Sequence, residues 1–581
     1  MKLSISKSKF SRSFYVTKSL YNRDTKTYSS TVIERLGTEK ELRDKHHVDD
    51  AEAWARAYVD ELNRKEKAEH PELIARFTTA AQLPKDQVVR YRGGYLFLQQ
   101  LTCQLGLKKI CQTIKERHQF TYDLHEILST LIYTRLLYPG SKQAALVDAQ
   151  TFLEAPGCQA HQIYRALDVL AQESDFIQAQ LYKNSLKLRP RNHQVLYYDC
   201  TNYYFEIEQD SGNRKYGHSK EHRPNPLLQM GLFIDGDGLP LAFRIFPGNQ
   251  NEQTSLKPLE ETILQDFDLS QFIVCTDAGL ASQANRRFNH QGQRAYVTTK
   301  SLKQLPVHLK DWALDPTGWH RTGSKGAFNL TELNDDPGSD DHKHTYYKDR
   351  WIHENGLEEH LVVTFSFKHR DYQRSVREQQ ILRAQAMQQH PQTVLRSRQT
   401  DPKRFLVIDA LTPEGELADK KQVRFNPAVA EREALYDGFY GVVTDLEGDP
   451  EQIVRINQGR WQIEQCFRIM KSEFKARPAY LSRDKRLEAH FMTCFIALLV
   501  YRQLEHRVAA VNPGTGPFCG AQIMQQLRQM DFYRLQGQGY IPLYARNDLT
   551  DALHKQAGFR TDYQALTLQE MKKVIAKTKK P

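Results

Sequence analysis

Two aspartates close apolar, β-rich runs: Asp199 follows Tyr197-Tyr198, and Asp277 follows Val274-Cys275-Thr276. A carboxylate at the end of a buried strand is costly without a partner. A third acid, Glu464, lies in a helical stretch among cations: Arg460 one turn before it, Arg468 and Lys471 one and two turns after. Two strand-end aspartates and a helical glutamate can hold two Mg²⁺ ions about 4 Å apart, the geometry of two-metal phosphoryl transfer. The neighbouring cations suit phosphate. The plainer alternative makes Arg460 and Glu464 an i,i+4 surface pair worth a few tenths of a kcal/mol.

Positioning these acids requires particular elements. From 195 to 300 the pattern reads β-β-β-α-β-α-β. Strands at 194–198, 227–234 and 239–246 come first, the last two joined by the turn Asp235-Gly236-Asp237-Gly238. A helix at 255–267, a strand at 272–276, a helix at 282–290 and a strand at 294–299 follow. A strand at 439–444 then leads into a single long helix, 450–475, whose Ile456, Ile463, Phe467, Met470 and Phe474 form an apolar stripe. Asn457, Arg460, Glu464, Arg468 and Lys471 form a polar stripe beside it, which puts Glu464 on the rim of the packed face.

Other acids and histidines fit less well. Asp235 and Asp237 suit a turn. Asp445 leaves a strand but lacks flanking cations. His218 with His222, or Asp341-His342-x-His344, would need a second ligand pair to hold zinc. For Trp351, packing in the core or within its own hairpin is the expectation.

The rest of the chain supplies context. A net charge of +11 and a pI near 9.0 over 581 residues favour a polyanionic partner, and the length calls for several domains. Residues 1–40 are strand-like around a turn at 21–26 and basic, with Lys2, Lys7, Lys9, Arg12, Lys18, Arg23 and Lys26 among the cations. They read as a solvated edge or a DNA-contacting arm. Residues 48–184 are helical, with a stripe at Leu124, Ile127, Leu128, Leu131 and Ile132, and could include a helix-turn-helix. The eight cysteines show no C-x-x-C pair and read as reduced thiols of a cytoplasmic protein. The N-terminus lacks a signal-peptide core, and the apolar run 491–501 is too short to span a bilayer. No Gly-Lys dipeptide occurs, which excludes a Walker A loop.

The chain resembles bacterial insertion-sequence transposases of the DDE type that carry a β-rich insertion before the catalytic glutamate. Their motif, Y-(2)-R-(3)-E-(6)-K, appears here as Asn457-x2-Arg460-x3-Glu464-x6-Lys471, with Asn457 in the tyrosine's place. The resemblance extends to Asp199-Cys200-Thr201, to 217–224 (Gly-His-Ser-Lys-Glu-His-Arg-Pro), to Phe246-Pro247-Gly248-Asn249, to Thr276-Asp277 and to Tyr436-Asp437-Gly438-Phe439. It implies an RNase H-like α/β core, a mixed sheet with flanking helices, split as 191–300 and 441–510 by an insertion at 301–440. A small basic β segment (1–47) and a helical, DNA-binding region (48–190) precede the core, and a helical basic tail (511–581) follows.

The resemblance further implies that Asp199, Asp277 and Glu464 bind two Mg²⁺ ions, with Mn²⁺ able to substitute. Arg460 and Lys471 would contact phosphate. Arg468, Lys220, His222 and Arg223 would add charge along the DNA path. The implied reaction is attack of activated water at a terminal inverted repeat, followed by joining of the freed 3′-hydroxyl to target DNA. A homodimer on paired ends of double-stranded DNA is expected, with no membrane partner. A nuclease that cuts without joining, and an inactive DNA-binding derivative, are the competing expectations.

Overall fold

The structure is a computed structural model describing all residues except 9–10, 23–26, 70–78, 81, 83–84, 86, 355, 389–400, 412–416, 513–515 and 581. It divides into two compact units: Met1–Tyr91 with Phe532–Leu543 and Arg560–Ile575, and Arg92–Asp531 with Tyr544–Phe559 and Ala576–Pro581.

The smaller unit opens with an antiparallel sheet of Lys2–Lys7, Arg12–Asn22 and Thr27–Thr38. Phe14 packs there against Leu42, Ala51 and Ala55 of the helices Glu39–His46 and Ala51–Glu69. Lys9, Arg23, Lys26 and the tip of the expected turn lie outside the described residues. The C-terminal region, expected helical, also contributes strands: Asp531–Leu535, Gly539–Pro542 and Leu566–Thr567 form one sheet with Arg90–Arg92.

The larger unit is built on a mixed sheet. Its core elements are β1 (Val195–Tyr204), β2 (Leu227–Asp235), β3 (Pro240–Pro247), α1 (Leu256–Asp266), β4 (Gln271–Thr276), α2 (Gln283–Asn289) and β5 (Gln293–Lys300). The strand order is β3-β2-β1-β4-β5; β1, β2 and β3 pair antiparallel, while β4 and β5 run parallel to β1. This 3-2-1-4-5 arrangement is the RNase H-like fold. Every residue of β2 is buried, as expected of a central strand covered on both faces. One face carries Leu196, Tyr198, Phe233 and Val274 against the helix Ser174–Leu188 and α1, through Tyr182, Leu256, Leu259 and Ile263. The Asp235–Gly238 turn forms as read, Asp235 being locked in a buried ion pair with Arg191 at 2.6 Å.

The segment 301–440 does not stand apart from this sheet. Its hairpin, β6 (Tyr346–Glu354) and β7 (Leu357–Phe365), pairs through β7 with β8 (Phe439–Thr444), and β8 pairs with β5. With the short strand His320–Arg321 at the edge, the sheet reaches nine strands. Trp319, Tyr346, Leu361 and Val363 form a core of their own on this extension.

The expected single helix at 450–475 is three pieces: α3 (Pro450–Gln458), α4 (Trp461–Arg468) and a π-helical turn, Ile469–Glu473. The buried α5 (Asp484–Val511) follows. Gly459 sits at the first joint because a β-carbon there would lie 2.0 Å from the Tyr197 hydroxyl. The chain tightens to i→i+3 bonds at that point, as in Gln462 N–H to Gly459 O at 3.2 Å. Among the described residues, no helix is long and apolar enough to cross a membrane.

Candidate active site

Strand register brings the two aspartates together. In the parallel ladder of β1 and β4, Val195 faces Ile273 and Tyr197 faces Cys275. Two residues beyond that last pair come Asp199, inside β1, and Asp277, just past the end of β4, close enough for the two charges to interact. Asp199 is not a strand end: the β1–β2 pairing continues to Tyr204, while the β1–β4 pairing stops at Tyr197. The carboxylate therefore stands where β1 has lost one neighbour, at the mouth of the parallel ladder.

Both aspartates are on the face covered by α3 and α4. Tyr197, two residues before Asp199, abuts Gly459, and Cys275, two before Asp277, has its Sγ 4.0 Å from Ile456 O. One oxygen of each carboxylate takes a backbone N–H: Cys200 N donates to Asp199 Oδ1 at 2.7 Å, and Leu280 N to Asp277 Oδ1 at 3.1 Å. The Asp199 carboxyl is pushed up to about 6, first by burial; the Lys220 charge pulls it down and the Asp277 charge raises it.

Arg460 approaches Asp199 from the helix side, close enough for its charge to act on that carboxylate. Its Nη1 donates to Thr299 Oγ1 at 3.1 Å, and Thr299 lies two residues beyond Val297, the β5 partner of Cys275. Thr299 Oγ1 shares a 2.7 Å hydrogen bond with the Tyr440 hydroxyl, which also accepts from Asn457 Nδ2 at 3.1 Å. Asn457, expected on the polar stripe, is therefore buried and tied to β8. The bridge from Arg460 through Thr299 to Tyr440 was not read from the sequence, since it depends on the β5–β8 pairing. Arg460 Nε is buried and has no hydrogen-bond partner among the described residues. A buried cationic donor without a partner suits an anionic ligand.

Glu464 is exposed on α4 and outside the aspartate pair. It makes no surface pair with Arg460, which turns to Thr299 instead. Among the described residues, no group of three His, Cys, Asp or Glu side chains stands close enough to hold a metal ion. The structure thus gathers Asp199, Asp277 and Arg460, with Glu464 one helical turn beyond Arg460. A carboxylate pair whose charges oppose each other, one oxygen of each free of backbone donors, is a donor set that fits a hard divalent cation.

The remaining cations are placed as follows. Lys220 Nζ donates to Cys200 O at 2.6 Å and pairs with Glu252 at 3.2 Å, so it faces the site from the β1 side. Lys471, in the π-helical turn, and Arg477 share the Glu221 carboxylate at 3.1 and 2.7 Å. Arg223 lies 5.5 Å from the Tyr204 ring centroid, His222 adopts a left-handed backbone (φ 56), and Arg468 is exposed. The 217–224 and 246–249 segments pack together: a β-carbon on Gly217 would lie 2.0 Å from Gly248 O, and one on Gly248 as close to Leu227 O.

The competing residues have local roles. Asp445 accepts from Tyr296 N and pairs with His290, each at 2.9 Å. His342 pairs with Asp371 at 2.9 Å. Trp351 stacks on His360 across the β6–β7 hairpin, ring centroids 5.1 Å apart.

The sequence matches the family described as "Transposase DDE domain" over residues 190–388 and 383–500, together more than half of the chain. Among curated proteins none matches. Among solved structures, a cryo-EM structure of the piggyBac transposase synaptic complex with hairpin DNA is 9% identical, covers 84% of each chain and gives a TM-score of 0.35. The Mos1 transposase paired-end complex with the left transposon end is 11% identical, covers 43% of this chain and 74% of that one, and gives a TM-score of 0.13.

Proposed function

This chain belongs to the transposase DDE-domain family, and from that premise we propose that it is a DNA transposase of the insertion-sequence type. It cuts DNA at the terminal repeats of a mobile element and joins the freed 3′-hydroxyls to target DNA. The observation that supports this reading is that Asp199 lies buried within reach of the charges of Asp277 and Arg460.

Asp199 and Asp277 would hold divalent cations, Mg²⁺ or Mn²⁺, and Glu464 would complete the set once α4 is engaged with DNA. When bound, two such ions supply activation of the attacking oxygen and stabilisation of the leaving one. Arg460, fixed by Thr299, offers its partnerless Nε to a phosphate oxygen. Lys471 and the exposed Arg468 extend the positive surface along the helix, and Lys220, His222 and Arg223 extend it beyond β1. The net charge of +11 favours a duplex partner. Two ends must be cut and joined together, so the working form is a homodimer on paired ends.

The test is incubation of the full chain with Mg²⁺, a pre-cut duplex carrying the sequences that flank its gene, and a circular plasmid. Joined product linearising or opening the plasmid supports the reading. Cutting of the intact flank without any joining would assign a nuclease instead, and tight binding with neither reaction would assign an inactive DNA-binding derivative.

A further inference from the structure

Asp199 stands on a strand edge that β4 has left, and the backbone there still needs partners. Gln194 O accepts from Ile273 N, so alternate residues of β1 turn their N–H and C=O towards β4. Counting in twos from Gln194 brings Cys200 to that edge, three residues past the last β1–β4 pair. Its N–H goes to Asp199 Oδ1 at 2.7 Å, and its carbonyl accepts from Lys220 Nζ at 2.6 Å. Two side chains thus replace the missing strand.

Lys220 is itself held. Glu252 Oε1 lies 3.2 Å from its Nζ, and its loop is tied to β1 by Asn202 Nδ2, which donates to His218 O at 2.7 Å. On the other face of the sheet, Cys200 Sγ and the Tyr198 hydroxyl meet Ser255 Oγ at 3.0 and 2.6 Å, and Ser255 Oγ donates to Glu252 O. The turn Glu252–Thr254 and the Ser255 that follows it therefore anchor Cys200 twice: through its thiol, and through Lys220 at its carbonyl. Asp199, one residue earlier, has the Lys220 charge within reach.

We infer that Lys220 is a positioning residue for the divalent-cation site: pinned by Glu252, it fixes the Cys200 backbone and so holds the Asp199 carboxylate where Mg²⁺ or Mn²⁺ meets it. The inference rests on the proposed holding of such an ion by Asp199 and Asp277. It separates Lys220 from cations that only lend charge, because the two roles have opposite signs. Loss of a positive charge beside a cation site, taken alone, tightens cation binding. Loss of a partner behind a direct ligand weakens it, by about 10- to 100-fold.

The test is Mn²⁺ binding to the full chain without DNA, read from the paramagnetic resonance signal of the free ion. Asp199→Asn identifies the ions that the aspartate pair holds. Against that reference, Lys220→Met is expected to weaken binding about tenfold or more. Lys220→Arg, which keeps the charge and its donors, should retain most of the wild-type affinity. Glu252→Gln, which leaves Lys220 in place, should weaken binding in the same direction and carries the test independently. The Lys220 side chain is 37% exposed, so its replacement is compatible with the fold, and melting in chelator checks this. Unchanged or tighter binding in Lys220→Met overturns the inference, as does a wild type that holds no more Mn²⁺ than Asp199→Asn. Adding flank duplex to the same samples separates the two claims. Binding that depends on Lys220 without any cutting supports the inference and overturns the proposed activity, whereas cutting with binding indifferent to Lys220 overturns the inference alone.

Discussion

Asp199 carries the strongest electrostatic signature of the site, because it is buried beside another carboxylate. A bound cation relieves both penalties. Mg²⁺ is therefore expected to raise the melting temperature of the wild-type protein and to leave that of Asp199→Asn nearly unchanged, which thermal unfolding with and without chelator would check. Arg460 depends on its neighbour's hydroxyl. Thr299→Val removes the acceptor at 3.1 Å, and a hydrogen bond to a charged group contributes about 1.5–3 kcal/mol. We expect about tenfold slower cutting with little change in DNA affinity, restored by Thr299→Ser. An equal loss in both Thr299 variants would contradict the positioning role. These residues were legible unequally. The types and spacing of Asp199, Asp277, Arg460 and Glu464 could be read directly. The burial of Asn457 and the Thr299–Tyr440 bridge could not, because both depend on strands 141 residues apart in sequence meeting in register.

At the scale of elements, the joint between α3 and α4 sets where Arg460 and Glu464 begin. Gly459→Ala places a methyl 2.0 Å from the Tyr197 hydroxyl, and overpacking of this kind costs about 1–3 kcal/mol. The cost should shrink in a Tyr197→Ala background. A double-mutant cycle measured by chemical denaturation would show a coupling of about 1 kcal/mol or more, whereas simple additivity would remove Tyr197 as the cause. The apolar stripe was readable from period alone at Ile463, Phe467, Met470 and Phe474, which are all buried, whereas Ile456 is only partly buried. The joint was not, because the ring that demands glycine comes from β1. The extent of β1 was misread for a related reason: its alternation continues past Asp199, and only the loss of β4 pairing marks the functional position.

Across the larger unit, a buried polar clamp fixes the segment that follows the π-helical turn. Arg135 donates to Phe474 O at 2.9 Å and to Lys475 O at 3.3 Å, holding Lys475 in a left-handed backbone (φ 46). His490 Nε2–H donates to Ala476 O at 2.7 Å, which leaves Nδ1 to accept from Lys142 at 2.9 Å. Burial, then the Arg135 charge, lowers Lys142 to about 7 from an ordinary 10.5. Between those values the unfolded chain binds a proton that the folded protein has shed, so stability rises with pH across the window, by at most about 1.4 kcal/mol per unit. Lys142→Met should lose that slope between pH 7 and 9 relative to wild type. Parallel stability curves would show that Lys142 stays charged when folded. None of this clamp was visible in sequence, because the carbonyl and the imidazole that Arg135 and Lys142 meet lie 339 and 348 residues further along the chain. The α/β order of 195–300, by contrast, was readable throughout, because each element there carries its own period and its own turn.

The measurement that bears most directly on the central claim is the single-turnover rate of cutting a flank duplex in Mg²⁺ by wild type, Asp199→Asn, Asp277→Asn, Glu464→Gln and Asp445→Asn, with DNA affinity measured alongside. We predict that the first three variants bind DNA as wild type does and cut more than a hundredfold more slowly, beyond the 10- to 100-fold loss common for groups behind a metal's direct ligands. Asp445→Asn, whose acid only ties Tyr296 and His290, should cut at close to the wild-type rate. Wild-type cutting by either Asp199→Asn or Asp277→Asn would contradict the account.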